Sequence, residues 1–365
     1  MKAKILFLTI IPVLLFSASF AQNSDKEVRT LKVNKNGNLI ISLSVGDVKL
    51  DMWDKDEMSV SYDKDEGSNV DISQSGNNVI INSSEDSWGN DLVISLPSQF
   101  NVQVKTLGGD IKFRGDLKGE ANLSTSGGDI KLNGVDGNVN LKSSGGDIKT
   151  GEVNGDADIS TSGGDIVLGR ISGKAGVKTA GGNITMNSVG RSAEIKTAGG
   201  NVTVNNVGGD AEIKTGGGNI EAKKINGQAV FKTGGGNISL ESATGYIDTE
   251  TGAGNIDIKE VADRFKATTG AGDIHVRLSS NIKGEGELKS GTGSITLYVP
   301  ANAKVTIKAV VKSFGWGNDE SNIISDFPAS STGGNHNQQT FEINGGGSLI
   351  KAYAAMGSIQ IKKVK

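Results

Sequence analysis

The chain has no cysteine, only four prolines and two histidines, and aromatic residues at 5% of its 365 positions. Without cysteine there is no disulfide framework, no thiolate metal site and no cysteine nucleophile. The histidines, His275 and His336, stand far apart and leave little material for a zinc site or a Ser-His pair. Scarce proline beside 53 glycines excludes collagen and proline-rich disorder. The formal charge is −3, or −5 with Lys2 and Lys4 of the N-terminal segment set aside, so bulk charge makes no case for nucleic acid. Apolar residues make up 35%, too few for a thick core of large side chains.

One long apolar run is present, at the start. Lys2 and Lys4 precede the apolar stretch from Ile5 to Phe16, and Ser19-Phe20-Ala21 supplies small residues at −3 and −1 for cleavage before Gln22. Residues 1–21 therefore read as a signal peptide. No cysteine follows to carry a lipid, and no other stretch approaches the 18 apolar residues of a membrane span. The mature chain is expected to be exported without a transmembrane segment, to the periplasm, cell surface or medium.

What the chain does have is a repeat. In the motif Gly-Asp/Asn-Ile/Val, the polar residue falls at Asp110, Asp129, Asp147, Asp165, Asn183, Asn201, Asn219, Asn237, Asn255 and Asp273. After one step of 19, every step is 18; a variant at Ser294 follows after 21. Outlying copies occur at Gly46-Asp47-Val48 and Gly357-Ser358-Ile359. Within the unit that starts at Asn183 the apolar positions are Ile184, Met186, Val189, Ala193 and Ile195, and they recur 18 residues on. The pairs 184/186 and 193/195 have the strand period of two. No helical pattern occurs in the array. A unit this short cannot bury its apolar side chains alone, but stacked on its copies it forms a narrow, continuous core. A β-propeller needs blades of about 40–50 residues. The expected fold is all-β: a single-stranded parallel β-solenoid with an 18-residue repeat, irregular β caps, and a rod of about 65–75 Å at about 4.8 Å per coil. The glycine before each polar residue is expected to supply backbone angles that other residues avoid.

Three outward or corner columns are candidates for function. A hydroxyl lies four residues before each Asp/Asn, from Thr106 through Thr197 to Ser290. Alternation along Ala193-Glu194-Ile195-Lys196-Thr197 points it inward, as a ladder satisfying buried polar groups rather than as an ice-binding array. The Asp/Asn column either caps backbone N–H groups of the glycine turn or, from Asp110 to Asp165, attracts a cation; no site that requires a metal is expected. Lys178, Lys196, Lys214 and Lys232 form a positive column, with Glu194 and Glu212 two residues earlier on the same face. That column is either a solvated face that resists aggregation or a linear stripe matched to a glycan or other envelope polyanion. Departures from the repeat such as Arg264, His275 and Arg277 read as scattered outward positions. No catalytic, cofactor-binding or metal-ligating residues are assigned, no cofactor is expected, and the chain reads as a non-enzyme.

The ends lack the strict period. Residues 22–101 are expected to be an irregular β region capping the regular array of 102–298. Residues 299–365 are expected to hold the final coils and a cap, with a polar loop near 315–339. Trp53, Trp88 and Trp316 all lie in these end regions, as cap residues or as platforms for sugar rings.

Several segments carry a family resemblance: Gly46-Asp47-Val48, Asp51-Met52-Trp53-Asp54, Ile94-Ser95-Leu96-Pro97, the repeated Gly-Gly-Asp/Asn-Ile, Val299-Pro300-Ala301 and the closing Met356-Gly357-Ser358-Ile359. In this order they resemble the bacterial family of β-strand-repeat domains of unknown function labelled putative adhesin, and are similar in style to the head domain of autotransporter adhesins. The resemblance implies a β-solenoid and an exported bacterial protein, and brings no ligand residues with it. The expected function is a non-enzymatic adhesin presenting a long lateral surface to a glycan or envelope component. The alternatives are a structural scaffold or self-associating envelope protein, and a polysaccharide-active β-helix enzyme.

Overall fold

A computed structural model of the chain describes residues 26–63, 70–83, 91–312, 322–333 and 337–364. The expected signal peptide, Trp88, Trp316 and His336 lie outside the described residues, as does part of the polar stretch 315–339.

One coil contains the logic of the array. Ile184–Val189 is a strand with Ile184, Met186 and Val189 buried. Asn187 and Ser188 both point away from the core, so the alternation slips by one and the strand bends to return Val189 inward. After a turn, Ala193–Thr197 forms the opposite wall, burying Ala193, Ile195 and Thr197. Each strand pairs in parallel, residue for residue, with its copy 18 positions on: Ile184 with Val202, and Ile195 with Ile213. Stacking gives two long sheets whose inner faces share one thin core. Volume is balanced within a coil: the one carrying Phe231 has Ala222 where its neighbours have Val204 and Leu240, as close packing requires.

The first sheet runs from Lys26–Lys32 to Ile323–Ser325, and the second from Val70–Ser75 to Ser331–Gly333. In neither do the edge strands meet, so the second sheet is open rather than a barrel. Among the described residues the stack is about fifteen coils deep, or about 67 Å. Among the described residues there is no helix. Three of the four edges end in antiparallel strands, which turn the chain back and limit open parallel edges.

At both ends the spatial order departs from chain order. Gly37–Val45 lies between Asn78–Ser83 and Phe100–Gly108, and Val48–Trp53 lies between Leu92–Pro97 and Ile111–Arg114. Residues 37–53 thus form a full coil, second from the end and continuous with the regular array. At the other end Ser348–Met356 is inserted between Gly286–Thr292 and Val305–Val311, and Ile359–Val364 between Ile295–Pro300 and Ile323–Ser325. The last coil in sequence is therefore bracketed on both sides. This accounts for the outlying motif copies: Asp47 lies beside Asp110, and Ser294 Oγ is 3.0 Å from Ser358 Oγ.

Two expectations need revising. The stretch 315–339 is not all loop, because Ile323–Ser325 and Ser331–Gly333 are strands. A single inward residue, Ile323, suffices there because Ile359 already offers a paired edge. The column glycines owe their identity mainly to close approach. A Cβ on Gly182 would lie 1.9 Å from the carbonyl oxygen of Gly164, whereas a left-handed φ occurs in this column only toward the ends, as at Gly109 with φ +108°.

Candidate binding face

The corner columns are occupied by structural bonding. Each Asp or Asn accepts, through Oδ1, the backbone N–H of its counterpart in the next coil. This run is unbroken from Asp91 through Asp47 and Asp110 to Ser294, at 2.7–2.9 Å. The arrangement needs only an acceptor, which is why Asp and Asn interchange along it. Direct amide donation from one rung to the next is sparser: Asn219 Nδ2 lies 3.2 Å from Asn201 Oδ1. The threonine column is buried behind this corner. Thr197 Oγ1 donates to the Gly182 carbonyl at 3.1 Å and accepts the Gly200 N–H at 3.2 Å, and the pattern repeats from Thr125 to Thr233. Among the described residues, no group of three or more His, Asp or Glu is placed to hold a metal ion.

The face built from Ala193–Thr197 and its copies carries the outward charges. Lys178, Lys196, Lys214 and Lys232 stand in register on adjacent strands. Three have carboxylate partners: Lys196 with Glu194, Lys214 with Glu212, and Lys232 with Glu250 at 2.9 Å. The hydrogen bond from Lys196 holds Glu194 below the usual carboxylate range, and Glu194 raises Lys196 in turn. The stripe is thus a row of ion pairs rather than bare cations. The other face carries a second lysine column that one-dimensional reading missed: Lys49, Lys112, Lys131 and Lys149 are in register. Lys49 joins it only through the insertion of coil 37–53.

Farther along the Lys178–Lys232 face the polar pattern breaks. One outward row reads Ser192, Asp210, Gln228, then Tyr246, Arg264 and Glu285 on successive coils. The Arg264 guanidinium lies over the Tyr246 ring, 4.6 Å from its centroid. Burial, then the charge of Asp248, pushes the Tyr246 phenol up, and Arg264 partly opposes them. Two adjoining depressions, of about 400 and 230 Å³, share Tyr246, Arg264 and Glu285. The step of 21 falls here: residues 279–285 link Leu278 to Gly286 where residues 262–264 suffice between Val261 and Phe265. The longer link forms a wall, with Gly284 so close to the Arg264 backbone that a Cβ would lie 2.1 Å from its nitrogen. Arg264 is therefore not a scattered departure. Arg277 instead sits on the opposite face near Tyr298, at 5.4 Å from its ring, and His275 is in register with Asp257 and Thr296. Tyr246 was not singled out from the sequence. Its signal is an aromatic in a row that is otherwise polar from Lys174 to Glu285.

Equal β coils stacked over a shared core, with backbone-capping ladders at the corners, define the chain as a repeat protein of the β-solenoid class. It belongs to the Toastrack DUF4097 family, whose model matches residues 36–207 and again 190–315. This agrees with the resemblance read from the glycine motifs. Among curated proteins, none matches the chain. Among solved structures it is similar to one described as a putative cell adhesion protein from Clostridium sporogenes, at 10% identity and TM-score 0.19, covering 93% of this chain and 99% of that one. A putative adhesin from Bacteroides fragilis aligns at 12% identity and TM-score 0.23, over 93% and 97% of the two chains. A putative lipid binding protein from Parabacteroides distasonis aligns at 15% and 0.26, over 76% and 94%. Among the described residues no helix is long and apolar enough to cross a membrane.

Proposed function

We propose that this chain is an exported, non-enzymatic β-solenoid adhesin that presents its lateral face to a glycan or another envelope component. One observation carries the reading. Outward side chains on the Ala193–Thr197 face stand in register coil after coil, as Lys178, Lys196, Lys214 and Lys232 do, on a backbone locked by the corner ladders. A repeating polymer meets such a face as many equivalent contacts about 4.8 Å apart, and weak contacts add through effective concentration. The face is pre-ordered, so little entropy is lost on binding. The lysine column contributes attraction to acidic polymers, moderated by Glu194, Glu212 and Glu250 and screened at physiological salt.

The test is binding of purified mature chain to envelope fractions and a glycan array, with cell fractionation and N-terminal sequencing of the exported form. Retention on an envelope fraction, and a mature terminus at Gln22, are expected. A chain that stays inside the cell, or that binds no fraction, refutes the proposal.

A further inference from the structure

We infer that the depression around Tyr246 and Arg264 is a discrete seat for a neutral, hydroxyl-rich sugar unit of the bound glycan. The inference rests on the adhesin reading and adds to it a place and a ligand class.

Periodicity supplies the first argument. In a solenoid, side chains that follow the repeat are explained by stacking, so a site must be sought where departures coincide. Two coincide here: the aromatic Tyr246 enters a row that otherwise reads Lys174, Ser192, Asp210, Gln228, Arg264 and Glu285, and the coil linker lengthens beside it. They line two adjoining depressions, beside a depression of about 430 Å³ that the regular coils form along Ser192, Asp210 and Gln228; of these, only the pair at Tyr246 carries an aromatic ring and the longer linker.

Charge and geometry supply the ligand class. The cations in and beside the depression, Arg264, Lys266, Lys289 and Lys351, are equalled in number by the carboxylates Asp248, Asp263, Glu285 and Glu287. Glu287 lies below the usual range because Lys289 donates to it, so it is ionised at neutral pH. A site with this balance offers an anionic ligand no net attraction. It offers instead planar groups with paired acceptors or donors, on Gln228, Arg264 and Glu285, which suit the adjacent hydroxyls of a sugar ring. Arg264 stacked on Tyr246 at 4.6 Å fixes both planes before a ligand arrives, which lowers the ordering cost of binding. The ring, covered on one face by Arg264, acts by orienting that guanidinium and by lining the depression with its remaining surface.

The experiment uses the full mature chain with soluble dextran and xylan as neutral probes and polygalacturonate as the acidic one, read by affinity electrophoresis and calorimetry. A neutral probe is expected to bind. Tyr246→Ala and Arg264→Ala should each weaken it at least tenfold, Tyr246→Phe by less than threefold, and Lys196→Ala with Lys214→Ala not at all. Circular dichroism melting checks that each variant keeps its fold; Tyr246→Phe and Arg264→Lys provide variants that preserve packing. Unchanged neutral binding in Tyr246→Ala, or binding of polygalacturonate alone, overturns the seat while leaving the adhesin reading intact. Failure of every glycan and every envelope fraction overturns both.

Discussion

The buried threonine column offers a sharp test of how the coils hold together. In Thr197→Val the side chain keeps its shape and loses only the hydroxyl. Thr197 is 7% exposed, and its Oγ1 bridges the Gly182 carbonyl and the Gly200 N–H. Both glycines are buried, so the change leaves one donor and one acceptor without a partner. Each orphaned buried group costs about 1–3 kcal/mol, and the added methyl returns about 0.8 kcal/mol. The net expectation is a loss of about 1–5 kcal/mol. Because each coil interacts chiefly with its neighbours, the damage should stay local, with the Thr179 and Thr215 rungs intact. Urea unfolding followed by circular dichroism, together with hydrogen exchange at the Gly200 amide, measures both aspects. Thr197→Ser keeps the bridge and should lose no more than about 1 kcal/mol. If Thr197→Val lies within about 0.5 kcal/mol of wild type and Gly200 exchanges no faster, the bridging role is refuted.

Two neighbouring glycines should behave in opposite ways. Gly182→Ala places a Cβ against rigid backbone at 1.9 Å and should cost about 3 kcal/mol or more, whereas Gly199→Ala, whose nearest contact is 3.7 Å away, should be neutral or slightly stabilising by urea midpoint. Removing residues 348–365 takes out a coil bracketed by two others, so amide protection should vanish in Val305–Val311, Ile323–Ser325 and Gln338–Ile343 as well, while the coils up to Thr251 stay protected; persistence of protection in those strands would contradict the inserted order. The ion pair of Asp110 with Lys112, at 2.8 Å, sets a pH window. Lys112 and then the Asp129 N–H hold Asp110 below its ordinary 3.8, and Asp110 raises Lys112 above 10.5. The lowered carboxylate contributes above its ordinary value and loses that contribution as pH falls through its folded value; the raised ammonium contributes below its ordinary value and loses it as pH rises through the folded one. Asp110→Asn keeps the acceptor for Asp129, so its stability deficit against wild type should be constant from about pH 5 to pH 10 and shrink toward pH 2; an unchanged deficit at pH 2 rules this out.

Much of the fold was legible because a solenoid writes its contacts at a constant separation. Ile184, Met186, Val189, Ala193 and Ile195 could be assigned inward from spacing alone, and the hydroxyl at Thr197 could be placed with them. The reason for the column glycines was not legible. A clash between Gly182 and Gly164 is a property of two stacked backbones, and nothing local to either residue records it.

The amino-acid sequence by itself determined the coil: its length, its inward residues, its acceptor at each corner and the family these define. The tertiary structure alone decided which coil follows which at the ends, and which departures from the repeat meet. The physical reason is that coils with one inward pattern and one corner geometry are nearly interchangeable as stacking partners. Periodicity therefore cannot rank their order, and long-range backbone pairing at the capped ends must do so. That pairing sets Asp47 beside Asp110 and Ser358 beside Ser294. Stacking across a sheet likewise lays Arg264 on Tyr246, 18 residues away along the chain and one rung away in space.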